Sequence, residues 1–197
     1  MNKEIVMEYT AMIIPFETVC FDEMNKKQAE QYFDWFIRTK GERLKRLQEY
    51  IFNDNKEIIL NNNPESLIEL WKWFEGKIEL VKKSEEEMRK EAEGMPGWMK
   101  SHILKNPIRF TVNTWVLAYD ISVYLGEVVI TNNPQIYWGY LTKPKRLHGV
   151  NVPRLLGFQG DMSVYLYGRI EVCMWKSVEN TNERYLYDVY MKCCDML

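Results

Sequence analysis

The order of residue patterns along the chain predicts an α+β fold with an N-terminal strand and long helices, a central apolar helix, then a C-terminal antiparallel sheet and a final helix. Three observations carry this expectation. Apolar residues recur at steps of three and four through much of residues 25–130, the spacing of one helix face. One stretch in that region is apolar nearly all round, as a helix at the centre of a fold would be. After Gln135 the texture changes to short aromatic and β-branched runs separated by turn residues, which read as strands. Helices followed by strands indicate α+β rather than a repeated βαβ unit.

Each element has a local reason. Residues 4–21 alternate loosely and carry Ile5, Val6, Tyr9, Ile13, Ile14 and Val19, so they read as strand, interrupted at Pro15. From Asn25 to Phe52 the positions Ala29, Phe33, Phe36, Ile37, Leu44, Leu47 and Ile51 form one amphipathic stripe, with Gly41 marking a bend. Asn63-Pro64-Glu65 reads as cap, first-turn proline and first-turn acid, opening a second helix through Leu67, Leu70, Trp71, Phe74, Ile78 and Val81. That helix is expected to run on through Ser84-Glu85-Glu86-Glu87 and to stop by Gly94-Met95-Pro96-Gly97. After a turn around Trp98–Leu104, Asn106-Pro107 repeats the cap-and-proline start, and the apolar helix extends from Ile108 to about Ile130, ending at Asn132-Asn133-Pro134. The runs IYWGYL, VPRLLGF and MSVYLYGRIEVCMW read as strands. Asn180-Thr181 with Glu183 opens a final helix carrying Leu186, Val189, Tyr190 and Cys193.

Composition bounds the chemistry. The chain has 197 residues, 46% of them apolar and 27% charged, with Trp 7, Tyr 12 and Phe 8, values of an ordinary globular protein and not of a disordered or collagenous one. At this length a single α+β domain over residues 1–197 is the expectation. The net charge is −2, too small to point to nucleic acid or membrane. Residues 1–100 carry 16 basic and 20 acidic groups, a balance of −4, while residues 101–197 carry 10 and 8, a balance of +2. Cys20, Cys173, Cys193 and Cys194 contain no C-x-x-C pair, and His102 and His148 are the only histidines. A zinc site is therefore not expected, and neither is a cofactor: no glycine-rich phosphate loop, dinucleotide fingerprint, H-E-x-x-H or G-x-S-x-G elbow occurs. With no signal-like N-terminus and no long uncharged apolar span, the expectation is a cytoplasmic protein with reduced thiols.

The polar set on the apolar helix is the main site candidate. Asn113, Asp120 and Glu127 are spaced by seven, and Tyr124 lies four after Asp120, so all share one stripe. A buried carboxylate needs a partner, water or a cation. Asp120, Tyr124 and Glu127 are thus candidates for acid–base chemistry, and Asp120, Glu127, Trp138 and Arg154 for binding a ligand or partner. Seven residues separate the two carboxylate-bearing α-carbons by roughly 10 Å, wide for a glycosidase pair. The bland alternative pairs Asp120 and Glu127 with Arg154 and Arg169 of the expected sheet. The basic stretch Lys143-Pro144-Lys145-Arg146 reads as a solvated turn rather than a nucleic-acid surface. Glu85-Glu86-Glu87 to Glu93 reads as a solvated helix end or a landing site for a basic partner, and Trp73 is a candidate interface anchor if exposed.

The segment from Trp115 to Trp138, WVLAYDISVYLGEVVITNNPQIYW, resembles a pattern of bacterial proteins in which a helix ending D-x-x-x-Y-x-G-E is followed by a short turn and a strand with tryptophan. Some of those proteins are similar to immunity proteins of bacterial toxin systems. The matching positions are Asp120, Tyr124, Gly126, Glu127 and Trp138, in 24 residues of the chain. The resemblance implies a small cytoplasmic α+β protein that acts by binding another, toxin-like protein, and it carries over no catalytic residue. The expectation is accordingly a non-enzymatic protein-binding protein with an acidic and aromatic surface. The alternative is a hydrolase or small-ligand-binding protein using Asp120 and Glu127.

Overall fold

A computed structural model describes residues 9–145 and 147–197. They form an α+β arrangement of seven helices and two antiparallel two-stranded sheets. In chain order these are α1 (Lys26–Asp54), α2 (Ser66–Glu75), β1 (Leu80–Lys82), α3 (Glu85–Ala92), α4 (Gly97–Lys105), β2 (Ile108–Phe110), α5 (Val112–Asn132), β3 (Tyr137–Gly139), β4 (Arg154–Leu156), α6 (Leu166–Glu179) and α7 (Tyr185–Cys194).

Helix α5 is the centre. Leu117, Ala118, Ile121, Leu125, Val128 and Val129 are fully buried on it, and it packs against α1, α6 and α7. By length and hydropathy it would pass as a membrane span, but 67% of the relevant window is buried inside the protein. It is a core helix. Thr111 caps its start by accepting a hydrogen bond from the Thr114 amide at 3.2 Å. Asn132 and Asn133 finish it by donating side-chain hydrogen bonds to the carbonyls of Val128 and Val129, at 2.8 and 2.9 Å.

Helix α1 opens with a capping box, in which Asn25 and Gln28 each bond the other's backbone amide. It continues unbroken through Gly41. Its buried face is turned slightly from the expected stripe: Tyr32, Trp35, Phe36 and Arg43 face inward while Ile37 is exposed.

Five expectations differ. Residues 9–21 contain no strand, and Ile5 and Val6 lie outside the described residues. Period-two burial survives there, with Met12, Ile14 and Phe16 half-buried and Ile13, Pro15 and Glu17 exposed. The inward side chains rest on Ala29, Tyr32 and Trp35 of α1 instead of beside a partner strand. The long second helix is cut into α2, β1 and α3. Leu80, Val81 and Lys82 pair with Phe110, Arg109 and Ile108, so Ile78 and Val81 kept a helical spacing without being helical. Ser84 then starts α3 with its own capping box to Glu87. The segment around Trp98–Leu104 is the helix α4, and Asn106-Pro107 precedes strand β2, leaving Thr111 to cap α5.

The largest difference is α6. The run MSVYLYGRIEVCMW reads as strand, yet Leu166–Glu179 is helical, with Leu166, Ile170, Cys173 and Met174 buried at helical spacing. The C-terminal antiparallel sheet is only β3 and β4, Tyr137 opposite Leu156 and Gly139 opposite Arg154. β-branched and aromatic residues did not make a strand because helix α5 offers a long apolar surface for a helix to cover. The final helix α7 forms as expected, entered through a turn in which the Asn182 side chain accepts from the Arg184 amide at 3.0 Å.

Proline distinguishes the two assignments for residues 166–179. Val172→Pro falls at an exposed position inside α6 and is expected to destabilise the protein by about 3 kcal/mol or more, read by urea denaturation. A loss under about 1 kcal/mol, tolerable at an edge strand, would contradict the helix.

Candidate functional site

On the polar stripe of α5, Asp120 and Tyr124 are buried while Asn113 and Glu127 are half-buried, and every member of it has a partner. Asp120 is 1% exposed. Its Oδ1 accepts from the Arg43 guanidinium at 2.9 Å and its Oδ2 from the Tyr9 hydroxyl at 2.5 Å. Arg43 is itself 5% exposed and sits between two rings, 4.9 Å from the centre of Trp35 and 5.0 Å from that of Tyr119. Asn113 accepts from the backbone amide of Tyr9 at 3.2 Å. One turn after Tyr124, Glu127 holds the Lys40 ammonium at 2.7 Å and accepts from the Trp138 indole at 2.7 Å.

The partners of the carboxylates are therefore Arg43 and Lys40 of α1, not Arg154 and Arg169. The pairing order runs backwards, Arg43 to Asp120 and Lys40 to Glu127, as two antiparallel helices require. The sequence signal for it was present: Phe36, Lys40, Arg43 and Leu47 are spaced four, three and four, so both cations lie on the inward stripe of α1.

Tyr124 points elsewhere. Its hydroxyl lies 2.6 Å from the Ser66 hydroxyl and accepts from the Asn62 amide at 3.1 Å. Asn62 has φ 60°, a left-handed conformation asparagine tolerates, and α5 also holds its carbonyl through Asn132 at 3.0 Å. Tyr124 thus fastens the turn before α2. Asp120, Tyr124 and Glu127 share a helix but do not converge on one point of chemistry.

Gly126 explains its own place in the pattern. A Cβ there would lie 2.0 Å from Trp138 Cζ2, so only glycine lets the indole lie against α5 and reach Glu127. Trp138 also meets Phe36 edge-on, with ring centres 5.0 Å apart.

Arg154 is 1% exposed and binds no carboxylate among the described residues. It donates to the Ser163 hydroxyl at 3.0 Å and to the carbonyls of His148 and Gly149 at 2.9 and 2.7 Å. It tethers the loop before β4. Lys143 and Lys145 are exposed, and Arg146 lies outside the described residues. Trp73 is half-buried, its indole donating to Asp54 at 2.7 Å, rather than a free anchor. In the acidic segment Glu85, Glu86, Glu87 and Glu91 pair with Arg89, Lys90, Arg109 and Lys83. Among the described residues no group of three His, Cys, Asp or Glu is placed to hold a metal ion.

The concave feature next to this network is a pocket of about 270 Å³ between residues 11–14, α1, α5 and α6. Tyr32, Trp35, Trp115, Tyr119 and Tyr167 form its walls, and Arg43 is the charged group in it. The Arg43 Nε–H is buried without an acceptor, a donor left over after Asp120 has taken the other edge. Tyr32 and Tyr119 are linked through their hydroxyls at 3.2 Å, and burial pushes both phenols up from their ordinary values. They remain neutral at physiological pH. The sequence pattern placed Tyr167 in an expected strand and singled out none of Tyr32, Trp35 and Tyr119, because Trp35, Tyr119 and Tyr167 belong to three different helices.

Comparison with protein-family models, curated proteins and solved structures finds no match to this chain.

Two predictions follow from the pairing. Removing one partner of a buried ion pair leaves an uncompensated charge, so Arg43→Met and Asp120→Leu are each expected to cost about 3–5 kcal/mol, and the double variant much less than their sum. Denaturant titration of the four proteins checks this. Burial raises the Asp120 carboxyl, opposed by the Tyr9 hydrogen bond and the Arg43 charge, so in Arg43→Met it rises further. The folded variant then binds a proton before the unfolded chain does, and its stability deficit should shrink as pH falls from 7 towards about 4. Gly126→Ala should cost about 1–3 kcal/mol through the clash with Trp138 and alter tryptophan fluorescence.

Proposed function

We propose that this chain is a non-enzymatic protein-binding protein, immunity-like in role and working in the bacterial cytoplasm, which receives a side chain of its protein partner in the aromatic pocket beside Arg43. The observation that carries the reading is the apolar rim. Ile13, 89% exposed, stands between the pocket residues Met12 and Ile14, and Val112, 69% exposed, lies on the opposite lip. These are the two most exposed of the large apolar side chains among the described residues. Bare apolar residues around an aromatic cavity are the usual form of a protein-binding hot spot.

Size and chemistry agree with a side-chain guest. A volume of about 270 Å³ falls just below the usual range for small-molecule sites, roughly 300–1,000 Å³, and suits one large residue. The unmatched Arg43 Nε–H favours a guest that brings an acceptor oxygen as well as an apolar body. The D-x-x-x-Y-x-G-E resemblance supports the toxin-like identity of the partner. The competing hydrolase or small-ligand reading through Asp120 and Glu127 draws no support from those side chains, whose oxygens are engaged by Arg43, Tyr9, Lys40 and Trp138.

The test is affinity purification from the native host with four forms of the protein. One partner protein is expected in stoichiometric amount with the wild type and with Ile59→Asp, whose side chain is exposed elsewhere. Binding should fall at least tenfold in Ile13→Asp and Val112→Asp, because a charge at the lip must be desolvated on docking. A partner retained equally by all three rim and control variants would place the interface elsewhere, and recovery of none would remove the reading.

A further inference from the structure

A second cavity, of about 380 Å³, lies between α6 and α7. Both helices present the same spacing to it. Arg169, Val172, Cys173 and Lys176 follow one another at i, i+3, i+4 and i+7 on α6, and Val189, Lys192, Cys193 and Met196 do so on and just after α7. Each stripe therefore combines apolar and thiol side chains with lysine or arginine. Arg169, Lys176 and Lys192 are exposed, and none joins an ion pair among the described residues. Asp195 is the acid at the lip, and Asp188 lies behind Cys173. Glu171 faces Tyr165 and Tyr167 on another side of α6. Positive charge is left over at the mouth.

We propose that this slot binds a medium-chain aliphatic carboxylate, with its chain between α6 and α7 and its carboxylate among Arg169, Lys176 and Lys192. The lining decides the ligand class. It contains no aromatic ring to stack a base and no amide or hydroxyl side chain to read a sugar. What it offers is valine, methionine and thiol surface below, and three cations above. Burial pushes the Cys173 thiol up to about 11 and the Cys193 thiol to about 12. Both are protonated at neutral pH and act as apolar wall, not as nucleophiles. The charges of Lys176, Lys192 and Arg169 all bear on Cys173, which places them around one mouth rather than scattered over two helices. A volume of about 380 Å³ is within the range of small-ligand sites.

Titration calorimetry with decanoate below its aggregation concentration tests the proposal. One saturable site is expected, with decanol and acetate each binding at least tenfold more weakly, since one lacks the charge and the other the chain. The exposed double variant Lys176→Glu/Lys192→Glu should lose decanoate binding at least tenfold while keeping its helical circular dichroism. Val172→Asp, which sets an acid at the slot, should do the same. Equal affinity for decanoate and decanol, undiminished binding by both variants, or no saturable binding would overturn it. Retention on anionic phospholipid vesicles without binding of free decanoate would overturn it too, by assigning the cations to a membrane surface.

Discussion

The ion pair of Arg43 with Asp120 is the constraint around which the rest of the structure is arranged. Two charges with almost no solvent exposure are tolerable only when each is paired with the other and with further partners. Asp120 has Arg43 and Tyr9, while Arg43 has Asp120 and the faces of Trp35 and Tyr119. Satisfying the pair draws together the segment at Tyr9, the middle of α1 and the middle of α5, bringing Tyr9 and Arg43 to Asp120 from 111 and 77 residues away in sequence. It also sets the register of α1 on α5, since Lys40 then meets Glu127 and Phe36 meets Trp138. The desolvation of the two ions makes this pair poor as a source of net stability and strong as a determinant of which helix faces meet.

The D-x-x-x-Y-x-G-E pattern with its later tryptophan acquires a physical meaning in that light. Asp120 receives α1 and Tyr9, Tyr124 fastens the turn before α2, Gly126 leaves room for Trp138, and Glu127 joins Lys40 to Trp138. One helix of 21 residues, about six turns, carries four different attachments on an otherwise largely apolar surface. The pattern describes how a central helix is clasped by its neighbours. Functional reading therefore moves away from the motif itself to what the clasped elements enclose.

They enclose an aromatic pocket in which Arg43 serves two purposes. Its NH1 edge holds Asp120, and its Nε–H is left buried and unmatched, a cost that a bound acceptor would remove. The α6–α7 slot differs in each respect. Its charges are exposed and join no ion pair among the described residues, its walls are aliphatic, and it is independent of the central ion pair. The two cavities thus differ in their walls, aromatic in one and aliphatic in the other, which is why different guests are proposed for them.

Period and composition were enough to read the α+β class, α1, the apolar character and end of α5, and α7. The carboxylates that needed partners were legible too, because a polar stripe on an apolar helix is visible in one dimension. Their partners were legible only in part: Lys40 and Arg43 share the spacing of Phe36 and Leu47 on α1, but nothing along the chain says that this stripe meets α5, and Arg154 looks like a free cation although it ties down a loop. For Leu166–Glu179, β-branched and aromatic content suggested strand, whereas the long apolar side of α5 made a helix the better cover. The cavities arise where side chains of separate helices fail to fill the space between them. Local sequence thus determined which residues must be buried and which buried charges must be matched. Only tertiary packing decided with what, because that depends on which surfaces meet, and propensity along the chain carries no record of it.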